Sequence, residues 1–345
     1  MNAITSMTGS RIFSVNEIIY MNQNKQTPDP RKLEKNWQDG RLPCPECGHV
    51  IPLGSLGLMK FNECPKCHAN FFAPQKIKDY YLFEPAGGGG MGSVYKAVSP
   101  KYPGRILAVK ILSRDERSNP SNIQALLNEA RISAQFKNSE FIASCLDSGY
   151  DNDEYFTVMD FISGERLDKR ISRFGKLSEP ETIAIALHVL SAEQHIYKCG
   201  YLFRDLKPEN IIINEKGYAI LIDFGLCMTR EHALNPDEEY VSGSPYYLPP
   251  ERLTGSGEDA RSEIYSLGMI MYQALTGKTF FDAAEIDSLA KRHLSKIRLS
   301  VESKLDGINP VLAKILAKMI AQHPEDRPSS FTEVFGMLQP LLKQD

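Results

Sequence analysis

The order of four segments decides the fold: residues 87–94 read GGGGMGSV, residues 107–110 read LAVK, residues 203–210 read FRDLKPEN, and residues 222–225 read IDFG. The first two lie in a stretch of β-branched alternation that begins at about Tyr80 and includes SVYKAV, ILAVKIL and EYFTVMDFI. Helical periodicity replaces this alternation after about Ser178. Because alternation with a period of two is typical of strands, the sequence predicts a strand-rich lobe followed by a helix-rich lobe.

The strand-rich lobe has one interruption, SNIQALLNEARISAQF at residues 121–136. Its apolar residues recur at helical spacing: Ile123, Leu126, Leu127, Ala130 and Ile132. This pattern predicts a single helix packed on the sheet. The sequence has no internal repeat of the length that builds solenoids or propellers.

The glycine-rich run contains the pattern G-x-G-x-x-G-x-V between two strand-like segments. It comprises Gly87, Gly88, Gly89, Gly90, Met91, Gly92, Ser93 and Val94. Glycines allow backbone N–H groups to approach phosphate oxygens closely, which a Cβ atom would obstruct. Taken alone, such a run is equally typical of a flexible turn. A dinucleotide-binding fold requires a helix directly after the glycines, whereas VYKAV has the pattern of a strand.

The following motifs add a lysine, Lys110, on the next strand and a carboxylate, Glu129, in the helix after it. Together with FRDLKPEN, IDFG and SPYYLPPE (residues 244–251), they resemble the motifs of the eukaryotic-type (Hanks-type) protein kinase superfamily, and more closely its bacterial serine/threonine branch. The resemblance covers residues 80 to about 340. It implies an α+β, two-lobed kinase fold over residues 80–342, with the N-lobe at about 80–160 and the C-lobe at about 161–342.

The resemblance also implies how the N-lobe would hold ATP. Phosphoryl transfer requires positioning of ATP and neutralisation of charge rather than covalent chemistry. Matched to the family motif, the run at residues 87–94 covers the phosphates, Val94 packs on the adenine, and Ala108 lines the same pocket. Lys110 would contact the α- and β-phosphates and be held in place by Glu129. Met159 would lie at the back of the pocket, and Asp160 to Ile162 would form the hinge between the lobes.

In the C-lobe, the resemblance places Asp205 where it accepts or orients the proton of the attacking hydroxyl group. Lys207 would steady the γ-phosphate, while Asn210 and Asp223 would hold Mg²⁺ (or Mn²⁺). A lysine two residues after the acid is similar to serine/threonine kinases rather than tyrosine kinases. The expected substrates are therefore Ser and Thr hydroxyl groups of proteins.

The segment between Asp223 and Glu251 is similar to an activation loop, since it is polar and broken by Asn-Pro and Gly-Ser-Pro. It offers four hydroxyl groups, those of Thr229, Tyr240, Ser242 and Ser244. Arg204 is of the kind that pairs with a phosphate on such a loop. The resemblance therefore predicts autophosphorylation at Ser242 or Thr229, with Ser244 against the substrate site.

Further matches and departures concern the framework of the C-lobe. Glu251 and Arg327 match a buried ion pair of the family, of the kind whose disruption costs about 3 to 5 kcal/mol.

The chain has Phe203, Glu263 and Pro249 where the family usually has His, Asp and Ala. Phe203 cannot donate the imidazole hydrogen bond, and Glu263 is one methylene longer than the usual acid that anchors the catalytic loop. Reduced turnover is the expected consequence, rather than loss of activity.

Two cysteine pairs precede the kinase-like region, in a segment at residues 41–75 that has too little apolar matter for a core of its own. Cys44 and Cys47 form CPEC, and Cys64 and Cys67 form CPKC, with 16 residues between the pairs. This spacing predicts a zinc ribbon in which four thiolates hold one structural Zn²⁺. Two disulfides are the alternative. His49 and His68 flank the pairs and are interpreted as surface residues because four cysteines already complete a tetrahedral shell.

The role of the ribbon stays open between binding a partner protein, binding nucleic acid and folding against the kinase domain. Lys60 and Lys66 lie near Phe61, Phe71 and Phe72, but acidic neighbours dilute the charge, and the aromatic residues are explained more simply as the ribbon's core. We therefore expect a protein-interaction or regulatory module rather than nucleic-acid binding. Residues 1–40 have no sustained periodicity and are predicted to be a flexible lead-in, with one helical turn at residues 15–20.

Composition bounds the remaining choices. The chain has 345 residues, of which 42% are hydrophobic and 24% are charged, with a formal net charge of −3. These values are typical of a soluble globular protein and provide no overall positive field for nucleic acid or an anionic membrane. The sequence shows neither a membrane-spanning run nor a signal peptide, and the three remaining cysteines are scattered. A cytoplasmic location is therefore expected.

Three functions compete at this stage. The first is an active protein kinase, which the joint presence of Lys110, Glu129, Asp205, Asn210 and Asp223 favours. The second is a pseudokinase scaffold that recruits partners through the zinc ribbon. The third is a kinase-fold enzyme acting on a small molecule, which the SPYYLPPE segment and the loop before it disfavour because they resemble a peptide-binding apparatus.

Overall fold

The computed structural model describes residues 27–89, 92–235, 243–281, 286–294 and 304–343. These residues divide into two compact units. The first takes its residues from positions 1–123 and 148–161, and the second from positions 124–147 and 162–345. As predicted, the first unit is rich in strands and the second in helices.

The first unit is built from one helix and short antiparallel strands. Its elements are α1 (Pro30–Gln38), β1 (Arg41–Pro43), β2 (Val50–Pro52), β3 (Phe61–Glu63), β4 (Asn70–Phe72), β5 (Gln75–Ile77), β6 (Tyr80–Gly89), β7 (Gly92–Val98) and β8 (Leu107–Leu112), followed later in the chain by β10 (Glu154–Asp160). Helix α2 (Pro120–Ser133) and strand β9 (Cys145–Asp151) have residues in both units. β1 pairs with β2, β3 pairs with β4, and a six-stranded sheet has the order β5-β6-β7-β8-β10-β9.

Helix α1 lies in the segment for which the sequence predicted a flexible lead-in. The Asp29 side chain accepts a hydrogen bond from the Arg31 N–H at 2.9 Å, and Pro30 occupies the first helical turn. An acidic N-cap followed by proline starts a helix without a long apolar period, which explains why periodicity missed it. The predicted turn at residues 15–20 lies outside the described residues.

The two short hairpins form a small apolar core of their own. Leu42, Ile51, Phe71 and Ala73 are buried in it, and Leu33 of α1 packs against them. The chain then continues from β4 into β5, which pairs with β6 in the register Gln75↔Leu82 and Ile77↔Tyr80. The cysteine-containing hairpins are therefore continuous with the large sheet through an edge strand.

The second unit is predominantly helical. Its elements are β11 (Gly164–Arg166), α3 (Leu167–Phe174), α4 (Glu179–Lys198), β12 (Tyr201–Leu202), β13 (Ile211–Asn214), β14 (Ala219–Leu221), β15 (Met228–Thr229), α5 (Arg230–Leu234), α6 (Pro250–Leu253), α7 (Ala260–Thr276), α8 (Ile286–His293), α9 (Pro310–Met319) and α10 (Phe331–Leu338). β11, β13 and β14 form one small sheet, and β12 pairs with β15 in another.

Helix α7 is the centre of the second unit's core, since residues on all of its faces are buried. Asp259 caps its N-terminus, and Gly277 ends it with a φ of +73°. A Cβ atom at Gly277 would lie 1.9 Å from the Gly175 carbonyl oxygen, so only glycine permits this close approach. No helix among the described residues combines the length and the apolar character needed to cross a membrane.

The ion pair predicted from the sequence is present. Arg327 donates from Nη1 and Nη2 to the two carboxylate oxygens of Glu251 at 2.8 and 3.0 Å, and both side chains are buried. Bidentate geometry is the strongest form of such a pair. It joins α6 to the chain that leads into α10 and so braces the core around α7.

A second buried acid has no such partner. Glu193 of α4 is 1% exposed, and neither carboxylate oxygen has a hydrogen-bond partner among the described residues. Burial raises the pKa of Glu193 well above its usual value, and the negative charge of Glu263 raises it further. Burial of an unpaired charge is costly, so the folded state holds this carboxyl group protonated.

Replacement of this carboxyl group is expected to stabilise the fold in a pH-dependent way. The folded-state pKa lies above that of the unfolded chain, so the wild type loses stability as the pH rises above the usual Glu value, by about 1.4 kcal/mol per pH unit within the shifted range. Glu193→Gln should therefore raise the Tm more at pH 8 than at pH 5. The exposed Glu325 provides a control as Glu325→Gln. An equal Tm difference at both pH values would contradict the assignment.

Candidate active site

The residues of FRDLKPEN converge on the carboxylate of Asp205. Lys207 Nζ lies 2.7 Å from Asp205 Oδ2, and Asn210 Nδ2 donates to the same oxygen at 2.8 Å and to the Asp205 carbonyl oxygen at 2.9 Å. Pro208 starts the short 3₁₀ turn that carries Asn210 back toward the acid. The arrangement fixes an ammonium group and an amide within hydrogen-bond distance of the same carboxylate oxygen.

The second predicted metal ligand lies at the same end of the β13–β14 hairpin. β13 starts directly after Asn210, and the Ile222 N–H donates to the Asn210 carbonyl oxygen at 3.0 Å. Asp223 follows Ile222 with a φ of +66° and an exposed side chain. Hairpin pairing therefore brings the backbones that carry Asn210 and Asp223 side by side.

These donors suit a hard divalent cation. The amide nitrogen of Asn210 is occupied by Asp205, which leaves the carbonyl oxygen of that side chain as the atom able to bind metal. Asp223 adds a carboxylate. Oxygen ligands of this kind, few in number and supplemented by phosphate and water, are what Mg²⁺ prefers.

In the first unit, the glycine-rich run forms the tip of the β6–β7 hairpin. The register pairs Gly87 with Val94, Gly88 with Ser93 and Gly89 with Gly92, while Gly90 and Met91 lie outside the described residues. A Cβ atom at Gly92 would lie 2.1 Å from the Ile111 carbonyl oxygen, so the packing of β7 on β8 requires this glycine. No such contact constrains Gly87, which keeps a bare backbone exposed instead.

The adjoining strands place the other predicted nucleotide residues in register. Lys110 pairs with Val94 across β7 and β8, and Ala108 pairs with Met159 across β8 and β10. β10 ends at Asp160, whose carboxylate accepts a hydrogen bond from Arg105 Nε at 2.8 Å. The side chain of Asp160 is thus used within the first unit, which leaves its backbone for any hinge contact.

The remaining predicted residues belong to the second unit. Glu129 lies on α2, and Ile162 follows the last residue of the first unit. Their expected relations to Lys110 and to the nucleotide therefore stay predictions.

The backbone of Arg204, directly before Asp205, is held on both sides. Its N–H donates to Glu263 Oε1 at 2.9 Å, and its carbonyl oxygen accepts from Arg252 Nη1 at 2.5 Å. Burial raises the pKa of Glu263 to about 7, although the charge of Arg252 opposes this shift. The longer acid at residue 263 thus still reaches the catalytic loop, as its predicted anchoring role requires.

The guanidinium group of Arg204 has an internal partner. Its Nε and Nη2 donate to Glu258 Oε1 at 3.0 and 2.7 Å, and its Nη1 donates to Met228 Sδ at 3.0 Å. The family resemblance predicts a phosphate on the activation loop as the partner of this arginine. In the described residues, the anion at Arg204 is a carboxylate instead.

The substitution at Phe203 is absorbed by apolar packing. Phe203 is fully buried, and its ring meets that of Phe224 edge to face with centroids 5.3 Å apart. Phe224 in turn contacts Phe136. Packing of this kind replaces the polar contact that a histidine would have made and fixes the residue after Asp223.

Sequence reasoning missed Arg252, Glu258 and Glu193 in this region. Charged residues are usually exposed, so a charge in the sequence predicts burial only when a partner can be named. Arg252 and Glu258 lie six residues apart in a segment rich in glycine, which gives no helical or strand spacing to relate them. The acidic residue between Gly257 and Asp259 was the available signal, but it is indistinguishable from a solvated loop acid.

The four cysteines of CPEC and CPKC form a second candidate site. Their sulfur atoms all lie within 4.8 Å of one another, with Cys44–Cys67 and Cys47–Cys64 separations of 3.7 Å. A disulfide requires about 2.05 Å, and no disulfide joins any two of the seven cysteines. Four sulfurs at the Zn–S distance of about 2.3 Å on a tetrahedron would be about 3.8 Å apart, which fits the observed spacing.

The two Cys-Pro-x-Cys segments form turns of the same geometry. The N–H groups of Gly48 and His68 donate to the carbonyl oxygens of Cys44 and Cys64 at 2.9 Å, and both residues have positive φ. Burial opposes ionisation of Cys64, but backbone N–H groups of Cys67 and Lys66 outweigh it and lower its pKa to about 6. The His68 ring contacts the Glu63 carboxylate at 2.5 Å and is exposed, in keeping with its interpretation as a surface residue.

Comparisons with known proteins agree with this geometry. The family model described as the protein kinase domain matches residues 80–338. A probable serine/threonine-protein kinase of Clostridium perfringens is 30% identical over 264 residues, which is 76% of this chain and 38% of the relative. The serine/threonine-protein kinases PrkC of Bacillus subtilis and pkn3 of Myxococcus xanthus are 31% and 29% identical, over 72% and 75% of this chain and 38% and 49% of theirs. The chain thus spans less than half the length of these relatives, and with its two-lobed composition and ordered motifs it belongs to the protein kinase family.

Proposed function

We propose that the chain transfers the γ-phosphoryl group of ATP to Ser and Thr hydroxyl groups of proteins. The observation that carries this proposal is the cluster of Asp205, Lys207 and Asn210, in which a cation and a metal ligand lie 2.7 and 2.8 Å from the same carboxylate oxygen of the base. Kinase relatives named for serine/threonine activity support the same chemistry.

Asp205 would accept the proton of the attacking hydroxyl group. Its carboxylate is oriented by Lys207 and Asn210 rather than by solvent, since it is 8% exposed. Preorganised groups of this kind lower the barrier because they need not reorient as the proton moves. Lys207 would also meet the negative charge of the transferred group, because its ammonium group lies beside the base.

When bound, ATP supplies the phosphoryl group and Mg²⁺ (or Mn²⁺) neutralises part of its charge. Asn210 and Asp223 would hold the metal through oxygen atoms. The exposed backbone at Gly87 and its neighbours would donate N–H groups to the phosphates, with Lys110, set by Glu129, adding a positive charge. Val94, Ala108, Met159 and the chain from Asp160 to Ile162 would hold the adenine.

A small cavity lies beside Asp205. Ser244, Tyr247 and Leu248 line it together with Leu206. The resemblance predicts Ser244 against the substrate site, and its position beside the proposed base supports that expectation. Autophosphorylation of the segment 223–251 is part of the proposed activity. Of the two predicted sites, Ser242 lies outside the described residues, whereas Thr229 caps helix α5 through its side chain.

The alternative is a pseudokinase that keeps the fold as a scaffold. It shares every framework interaction described above, including the Glu251–Arg327 pair. It would not need the three-way hydrogen bonding around Asp205, which is why the enzyme is the preferred proposal.

The test is phosphate incorporation into a generic basic protein and into the chain itself, with and without Mg²⁺. We expect incorporation that requires Mg²⁺ and that falls by at least about 10³-fold in Asp205→Asn, in the range that general-base removal gives. Mass spectrometry of the peptide covering residues 223–251 locates the self-incorporated phosphate. Asp306→Asn, at an exposed acid of the second unit, provides the matched control.

Two outcomes would decide against the enzyme. Equal incorporation by wild type and Asp205→Asn would point to a contaminating kinase. Absence of incorporation with a Tm that still rises on addition of ATP would favour the pseudokinase.

We also propose that Cys44, Cys47, Cys64 and Cys67 bind one structural Zn²⁺. The spacing of the four sulfurs supports this, since all of them lie close enough together to reach one tetrahedral ion. The contacts of the ribbon favour a bracing role over recruitment of a partner. The Phe72 ring stacks on Tyr95 of β7 at 6.3 Å, and Trp37 of α1 meets Tyr81 of β6 edge to face.

Zinc binding is tested by metal analysis of the purified chain. We expect about one Zn²⁺ per chain in the wild type, none in Cys64→Ser, and a Tm lowered by about 5 °C or more, because metal bound only to the folded state stabilises it. Cys199→Ser removes a thiol outside the cluster and should change neither value. Full zinc content in Cys64→Ser would contradict the proposed ligand set.

A further inference from the structure

Arg204, Glu258 and Arg252 form a buried triad that nothing in the proposed chemistry requires; we call it the anion clamp. Glu258 uses one carboxylate oxygen for each arginine, with Arg252 Nε and Nη2 at 2.9 and 2.6 Å from Oε2 and Arg204 on Oε1. Glu258 is 2% exposed, Arg204 8% and Arg252 7%. Two fork-shaped guanidinium groups thus share a single carboxylate out of contact with water.

The clamp acts directly on the catalytic loop. Arg252 is held by Glu258 and donates from Nη1 to the Arg204 carbonyl oxygen, one peptide bond from Asp205. Arg204 has a φ of +66°, a conformation that a residue with a side chain rarely adopts unless its surroundings enforce it. Hydrogen bonds from both ends of the residue and from its guanidinium group supply that enforcement.

The loop that carries Glu258 is itself anchored to the segment after Asp223. The Glu258 N–H donates to the Ala233 carbonyl oxygen at 2.8 Å. A Cβ atom at Gly257 would lie 2.3 Å from the Leu234 carbonyl oxygen, so glycine allows the two segments to touch. Helix α5 follows β15, which pairs with β12 in the register Tyr201↔Thr229 and Leu202↔Met228. Arg204, Glu258 and the start of the activation segment therefore form one connected structure.

This geometry leaves few new hydrogen bonds for a phosphate to form with Arg204. A phosphate on the activation segment could order the protein only through a new charge-assisted contact. The Arg204 guanidinium group already donates three hydrogen bonds within the protein, two to Glu258 and one to Met228. An incoming phosphate would have to compete with a carboxylate that is already bound and only 2% exposed.

We propose that Glu258 takes the place of an activation-segment phosphate as the anion that positions Arg204, so that the catalytic loop is assembled before any phosphorylation. Glu258 is thus a positioning residue that acts on Asp205 through Arg204 and Arg252. The inference rests on the proposed kinase activity. Phosphorylation of residues 223–251 is then a product of the activity rather than its switch.

The first arm of the test needs no variant. Wild-type chain is dephosphorylated with a phosphatase, freed of it, and assayed for initial transfer to a basic protein while intact mass follows its own phosphate content. We expect transfer without a lag, at a rate within about twofold of the phosphorylated chain, which is a negligible difference in barrier height. A lag that ends as the chain gains phosphate, or a rate about tenfold lower, would overturn the inference and leave the kinase activity established. No transfer in either state would overturn the kinase proposal and this inference with it.

The second arm removes the charge and keeps the shape. In the unphosphorylated state, Glu258→Gln should lower kcat by about tenfold or more while the KM for ATP stays within about twofold, because the clamp reaches the base and not the glycine-rich hairpin. Glu258→Asp keeps the charge and should recover part of the loss. Glu325→Gln, at an exposed acid of the same unit, should leave both constants unchanged.

The outcomes of the second arm are also decisive. Wild-type kcat in unphosphorylated Glu258→Gln would overturn the inference, as would a loss shared equally between kcat and the KM for ATP, which indicates general damage. If Glu258→Gln does not fold, as judged by its circular dichroism and Tm, the comparison of the two phosphorylation states of the wild type decides alone.

Discussion

The left-handed backbone of Arg204 is the constraint around which the second unit is arranged. A residue with a Cβ atom adopts a positive φ only at a cost in free energy, which hydrogen bonds offset here. The N–H of Arg204 donates to Glu263, its carbonyl oxygen accepts from Arg252, and its side chain donates to Glu258. Each of these partners is in turn fixed by an element of the core, α7 or α6 or the loop between them. This arrangement fixes the backbone directly before Asp205, while Lys207 and Asn210 orient its carboxylate.

The buried acids of this core differ in how far hydrogen-bond partners compensate their burial. Glu251 has two bonds from Arg327, Glu258 has two arginines, and Glu193 has no partner among the described residues. Arginine partners compensate the desolvation of Glu251 and Glu258. Burial without a partner raises the pKa of Glu193 and penalises its charged form. The same helical unit therefore contains two compensated buried acids and one whose ionisation would weaken it.

The sequence was sufficient for the parts of the protein where residue type and spacing have a single physical meaning. Alternating strands and the tight Cys-Pro-x-Cys turns were predicted from spacing, and the buried pair Glu251–Arg327 from the family resemblance. Arg252 and Glu258 were not predicted because a buried ion cluster has no periodic signature, and α1 was missed because its helix begins from a cap and a proline. The carboxylate beside Arg204 was missed for the same reason: the motif identifies the arginine, but only packing shows that Glu258 lies beside it. The pairing of Arg204 with a phosphate stays a prediction.

The edge strand β5 has a consequence for how this sheet is protected from other chains. β5 is three residues long and covers only part of β6, the ten-residue strand that ends in the glycine-rich tip. Trp37 of α1 meets Tyr81 of β6 edge to face. An uncovered strand of ten residues would present unpaired N–H and C=O groups that invite pairing with a second molecule. By pairing with the first residues of β6, β5 therefore shortens the edge that is open to such pairing.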